Sequence, residues 1–398
     1  MKKIMIVICD MKIGGAQRSL LSFLQEFCAQ GEAENTEIHL LPLNPVGEYM
    51  EQIPEGVRLL TPDHTLRWLG SRMNMKLLTV WFSLRGLAGE LLWLGRKALG
   101  LHRKELNIQQ RVWENWRGLI SARKESYDAA IAYIDGIPAY YVMDKVKAKK
   151  KVLWLHSDYR MQAYDPDYDR TYYARCDAAV TVSEECRETL CQAFPEYREK
   201  TCVLENISSG SILQKSQEGV CPEYADTKGW KLLSVGRLHV QKGMDIAIQA
   251  AERLARRGVD FTWLIVGEGS ERANLEAMIR EKALTARVKL IGSRENPYKY
   301  MRECDILVQT SRVEGKSIVL DEAKMLGKPA VVTHYPTVSD AIAQEETGLI
   351  VETEPDAIAE GIISMMQDET LRSRIEENLR HLPKGNEKEL RRYIEILF

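Results

Sequence analysis

Two acids separated by seven residues, Glu314 and Glu322, bracket the run Lys316-Ser-Ile-Val319. The apolar stretch Cys304–Thr310 before them reads as a short strand, and Pro329–Thr333 after them as another. Between the strands, Ile318–Met325 has helical spacing and stops at Gly327, a glycine suited to the left-handed turn that closes a helix. The chemistry of such a unit follows from its parts. A helix start at Ser317, Ile318 and Val319 presents free amide N–H groups and the positive end of the helix dipole, which together attract a phosphate. An ionised carboxylate only accepts hydrogen bonds, so Glu314 and Glu322 suit hydroxyl groups rather than phosphate oxygens. Hydroxyl acceptors on both sides of an anion cradle fit a nucleotide sugar.

A second set lies about seventy residues upstream, where Lys231–Gly236 reads as a strand followed by Arg237, Lys242 and a helix from Met244. Two cations at the carboxyl end of a strand suit the charge of a diphosphate. The next strand, Thr262–Val266, turns at Gly267-Glu-Gly269, and a third, Val288–Ile291, is followed by Gly292-Ser-Arg294. Near the N-terminus, the apolar run Lys3–Cys9 leads into Asp10-Met-Lys-Ile-Gly-Gly-Ala16 and a helix over Ala16–Cys28, a further loop where backbone at Gly15 could approach a ligand. The three-glycine pattern of dinucleotide-binding folds is missing there, which counts against a nicotinamide-dependent dehydrogenase. Strands at Tyr127–Tyr133 and Lys151–His156 place Asp135 and His156 at strand ends, where ligands bind in α/β sheets. Asp165-Pro-Asp167 has the spacing of a metal-holding acid pair, but its polar, proline-containing surroundings predict a solvated turn, and no metal site is expected.

These elements alternate strand and helix over 398 residues, too many for one ordinary core, so the chain is expected to form two doubly wound α/β domains facing a cleft. The polar stretch 214–228 reads as a linker between a first domain over 1–213 and a second over 229–382 that carries the nucleotide-sugar motif, followed by a last helix in 383–398. A net charge of −2 argues against nucleic acid as a partner. Eight scattered cysteines without zinc-ligand spacing predict free, buried thiols in a reducing cytoplasm. The stretch 66–104 stands apart: eight Lys and Arg against Glu90 alone, interleaved with Trp68, Trp81, Phe82 and Trp93. That composition suits the headgroup layer of an anionic membrane, and equally a pair of helices packed on the N-terminal sheet.

The context strand-Glu314-Gly-Lys-Ser317-helix-Glu322-Ala-Lys-Met-Leu-Gly-Lys-Pro329 resembles the donor-site motif of family-4 glycosyltransferases, retaining enzymes of the GT-B fold. Gly236-Arg-Leu-His-Val-Gln-Lys-Gly243 is similar to the cationic signature of the same family, and Gly14-Gly15-Ala16 to its first loop. Glu314-Gly-Lys-Ser-Ile-Val-Leu-Asp-Glu322 and Asp135-Gly-Ile-Pro-Ala-Tyr140 are similar to bacterial capsule and exopolysaccharide enzymes. The resemblance implies a metal-independent transfer of sugar, without a cofactor, from a nucleotide sugar, with UDP favoured over GDP. The acceptor it implies is a glycan, usually one linked to polyprenyl diphosphate, which would place the protein at the inner face of a plasma membrane. Arg237, Lys242, Glu314 and His156 then carry the catalytic roles. Gly15, Gly236, Gly267, Arg294, Ser317, Ile318, Val319 and Glu322 hold the donor, with Glu322 on the ribose and Arg294 near the base. Asp135 and His156 face the acceptor. A sugar-nucleotide epimerase or an inactive assembly subunit of the same fold is the competing expectation.

Overall fold

The computed structural model describes residues 1–31, 35–72, 91, 94–95, 98–99 and 106–398. The chain divides into two compact units, Met1–Asn206 with Lys388–Phe398, and Ile207–Glu387. In the first, strands β1 (Lys2–Ile8), β2 (Thr36–Pro42), β3 (Val57–Leu59), β4 (Ser126–Ala132), β5 (Lys147–Leu155), β6 (Ala178–Thr181) and β7 (Thr201–Val203) form one parallel sheet in the order β3-β2-β1-β4-β5-β6-β7. Ile4–Ile8 and Ala129–Ala132 are fully buried, as a parallel strand covered on both faces requires. In the second unit β8 (Trp230–Val235), β9 (Phe261–Val266), β10 (Val288–Gly292), β11 (Ile306–Gln309), β12 (Ala330–Thr333) and β13 (Leu349–Val351) are ordered β10-β9-β8-β11-β12-β13.

Both sheets reverse their strand order beside the first strand of the unit, between β1 and β4 and between β8 and β11. Crossover helices leave opposite faces at that point and open a crevice at the carboxyl ends of the strands, the place where open α/β sheets bind ligands. Every strand predicted above is present, and the sheets also contain β2, β3, β6, β7 and β13. The helix expected over Ala16–Cys28 spans Gly15–Ala29.

Three readings are revised. Residues 214–228 pack into the second unit rather than standing apart as a linker, because Ile212 and Tyr224 are buried in its core and the Tyr224 hydroxyl donates to the Leu232 carbonyl at 2.7 Å. The solvated turn at 165–169 is instead the start of a helix, Pro166–Tyr173: Asp165 accepts from the amides of Asp167 and Tyr168 as its N-cap, and Pro166 stands at the first helical position. All eight cysteines are free, but Cys28, Cys202 and Cys221 are only half-buried. The basic stretch 66–104 lies for the most part outside the described residues. No described helix is long and apolar enough to cross a membrane.

Candidate functional site

In the second unit the three glycines singled out above stand side by side. Gly236 ends β8 and donates its amide to Val266, Gly267 follows β9 and donates to Gly292, both at 3.0 Å. Gly267 has φ +153°, and a Cβ there would overlap the Gly236 carbonyl oxygen. Only glycine fits, and the strand ends are left as bare backbone.

The loop after β8 is fastened to the loop after β11. Thr310 Oγ1 donates to the Gly243 carbonyl at 2.8 Å, the Arg312 amide to Gln241 at 2.8 Å, and the Arg312 guanidinium grips Asp245 at 2.8 and 2.7 Å. Burial raises the Asp245 carboxyl, but Arg312 outweighs it and holds the group below the usual range. The two loops thereby bring Lys242 Nζ to 2.6 Å from Glu314 Oε1. Ser311 Oγ donates to the same oxygen at 2.5 Å, and Thr337 Oγ1 to the Glu314 carbonyl at 3.0 Å. The Glu314 side chain is 10% exposed and that of Lys242 22%, so the pair is largely shielded from water. Arg237 is exposed, and its side chain makes no ion pair or hydrogen bond among the described residues.

Ser317 caps the helix Ile318–Met325, accepting from the Leu320 amide at 3.4 Å. The amides of Ile318 and Val319 precede any carbonyl of their own helix and lie in the turn that would face an anion. Glu322, on the same helix, is 4% exposed, with one oxygen taken by the Tyr298 hydroxyl at 2.7 Å. Arg294 is held by Glu223 at 3.2 Å and bonds the Tyr300 hydroxyl at 3.2 Å, which fixes its position behind Gly292. The second unit thus collects Arg237, Lys242, Glu314, Ser317, Ile318, Val319, Glu322, Gly236 and Gly267 along one end of one sheet. A cavity of about 380 Å³ lined by Trp230, Asp305, Lys328 and Arg372 lies at the opposite, amino end of these strands and holds none of them.

Gly15, Asp135 and His156 belong to the first unit. Gly14 caps the first helix and Gly15 opens it; a Cβ at Gly15 would meet nothing within 4 Å, so packing does not demand a glycine there. Asp135 follows β4 and accepts from the Tyr164 hydroxyl at 2.9 Å; burial nonetheless holds its carboxyl above the usual range. His156 follows β5 with its ring 4.9 Å from that of Tyr133. Burial pushes the imidazole down to about 3, and its Nε2 is buried without a hydrogen-bond partner. It is therefore a neutral ring with one polar atom left over, suited to a hydrogen bond with a ligand rather than to carrying charge.

Residues that the sequence did not single out complete both sets. Ser311 and Thr337 hold Glu314, and Gln309 and Tyr335 sit behind Ser317. In the first unit Asp169 is buried and accepts from Tyr140 at 2.7 Å, Gln110 at 2.8 Å and Tyr159 at 2.9 Å. Burial lifts it to about 6 against those three donors. Among the described residues no cluster of His, Cys, Asp and Glu has the form of a metal site.

Residues 222–382 match the family model described as glycosyl transferases group 1. The chain is 33% identical over 203 residues to the N-acetylgalactosamine-N,N'-diacetylbacillosaminyl-diphospho-undecaprenol 4-alpha-N-acetylgalactosaminyltransferase of Campylobacter jejuni, a match covering 50% of this chain and 53% of that one. It is 31% identical over 148 residues to an amylovoran biosynthesis glycosyltransferase of Erwinia amylovora, covering 35% and 36%. The chain thus spans about half the length, or less, of the curated relatives it matches. A crystal structure of HepE from Anabaena in complex with UDP superposes over 99% of this chain and 98% of that one, with TM-score 0.68 and 17% identity. The two parallel sheets are those of the GT-B fold.

Proposed function

From a GT-B chain that carries a group 1 glycosyl transferase segment, we propose a retaining glycosyltransferase that moves a sugar from a nucleotide sugar to a glycan acceptor in cell-surface polysaccharide synthesis. The observation that carries this reading is the shielded Lys242–Glu314 contact at 2.6 Å, set between bare strand ends and a helix start. A cation, a hydroxyl acceptor and free amides then converge where a sugar diphosphate has a charge, hydroxyls and phosphate oxygens. The relatives support the substrate class: the Campylobacter enzyme is named for an undecaprenol-diphosphate-linked acceptor, and the Erwinia protein for an exopolysaccharide. UDP is the proposed carrier, as the nucleotide held by the Anabaena protein.

In the proposed reaction the bond from the anomeric carbon to the diphosphate oxygen breaks, and a bond to the acceptor oxygen forms on the same face. The acceptor proton passes to the departing phosphate. Negative charge grows on the diphosphate, and Arg237, Lys242 and the amides of Ile318 and Val319 stabilise it without a metal ion. Glu314 orients sugar hydroxyls, Glu322 accepts from the ribose, and Arg294 lies beside the base. Asp135 and the spare Nε2 of His156 take the acceptor. A polyprenyl-linked acceptor would bring the protein to the cytoplasmic face of a membrane, with 66–104 as the contacting stretch.

The deciding experiment is calorimetric titration of UDP, GDP and ADP in EDTA against wild type and Lys242→Ala. Tight binding of UDP that falls at least about tenfold in the variant is expected for a charge-assisted contact. Binding of no nucleotide, or binding only with a divalent metal, overturns the reading. Anomeric configuration of the product, read by NMR, tests retention separately.

A further inference from the structure

The chain of buried hydroxyls behind the Ile318–Met325 helix has a direction. Tyr335 is 2% exposed, and its hydroxyl has one hydrogen-bond partner among the described residues, Oε1 of Gln309 at 2.9 Å. Burial, with Glu314 and Asp321 nearby, holds the phenol far above its ordinary range, so it keeps its proton and must place it. The acceptor within reach is the Gln309 amide oxygen, which fixes the amide with its NH₂ on the other side. That NH₂ is 2.6 Å from Ser317 Oγ. Ser317 Oγ also receives the Leu320 amide at 3.4 Å. A serine oxygen accepts two hydrogen bonds, and here both are supplied from inside the protein. The hydroxyl proton of Ser317, a residue 4% exposed, therefore has no internal acceptor among the described residues and is left for what lies at the start of the helix.

We propose that Tyr335 and Gln309 are positioning residues that commit the Ser317 hydroxyl to donating to a phosphate group bound at the start of this helix. The inference rests on the donor-site reading above and adds to it a relay of fixed polarity. Were the amide reversed, Ser317 would spend its proton on Gln309 and offer the anion only lone pairs, which repel it. The relay thus distinguishes a ligand that accepts, such as a diphosphate, from one that donates.

The test uses the full chain, with UDP and inorganic pyrophosphate as probes in EDTA and uridine as the uncharged control. Ser317→Ala is expected to weaken UDP and pyrophosphate about tenfold, the scale of one hydrogen bond to a charged group. Tyr335→Phe removes the lock on the amide, leaves the ring in place, and is expected to weaken both probes at least about threefold with no change for uridine. In the double variant the Tyr335→Phe effect should vanish, because the hydroxyl through which it acts is gone. Gln309→Glu, which accepts from Tyr335 and captures the Ser317 proton, should lose pyrophosphate at least as strongly as Ser317→Ala, and serves if Tyr335→Phe does not fold. Unchanged pyrophosphate affinity in a folded Tyr335→Phe or Gln309→Glu, or full additivity with Ser317→Ala, overturns the relay while leaving the donor site intact. Wild type that binds neither probe overturns the donor-site reading and the relay together.

Discussion

His156 shows how burial sets chemistry at a single residue. Its ring is enclosed by Tyr133 and Trp154, and the imidazole is pushed down from 6.5 to about 3. Between those values the unfolded chain binds a proton that the folded one does not, so stability falls as pH drops through the window. The slope for one proton is at most about 1.4 kcal/mol per pH unit. Asp169 acts in the opposite sense. Its carboxyl is raised from 3.8 to about 6, so the folded chain holds a proton that the unfolded one has lost, and stability falls as pH rises from 3.8 to 6. The two effects oppose each other in wild type, and the comparison with His156→Phe separates them. Urea unfolding at pH 7 and pH 5 should show the variant losing less stability on acidification than wild type. Equal losses in both proteins would mean that the ring is not held neutral.

At the scale of elements, the strand-loop-helix-strand unit around Glu314 was legible because each boundary has a local cause. Apolar runs marked β11 and β12, Ser317 marked the cap, and Gly327, at φ +67°, marked the stop. The helix at Pro166–Tyr173 had an equally local signal, Asp before Pro, which the acid-pair spacing of the same residues obscured. What could not be read was contact across the chain. Gln110 reaches Asp169 over 59 positions and Tyr335 reaches Gln309 over 26, and no periodicity links them. The glycines fall between these cases, since the sequence marked turns but not what pressed on them. Gly267→Ala is the test of that pressure. With φ +153° and the Gly236 carbonyl where the new methyl would go, the variant should lose roughly 1–3 kcal/mol and shift the loop that carries Arg237. A Tm equal to wild type together with unchanged UDP affinity would show that the strand ends relax freely.

For the whole molecule, the informative element is the helix Glu389–Leu397, which follows the second unit in sequence and belongs to the first. Tyr393 anchors it. The residue is fully buried, its ring lies 4.6 Å from Trp154 and 5.2 Å from Phe23, and its hydroxyl donates to the Glu205 carbonyl at 2.8 Å. Arg392 adds a bond to the Val203 carbonyl at 2.8 Å, and Lys2 sits 3.6 Å over the Phe398 ring. The first unit therefore includes a segment that the ribosome delivers only after the second unit has been made, and its core is incomplete until then. Removing the anchor should destabilise that unit alone. Tyr393→Ala deletes a fully buried ring together with its hydroxyl's hydrogen bond, a change that typically costs about 3–5 kcal/mol. Chains with two compact units need not unfold in one step, so the readout must separate them. Hydrogen exchange does so by reporting β1, β4 and β5 apart from β8, β9 and β11. Exchange should accelerate in the first group and stay at the wild-type rate in the second, with UDP affinity measured in parallel as a check on the second unit. Acceleration spread evenly through both groups would show instead that the two sheets share one cooperative unit, and that the last helix stabilises the molecule as a whole.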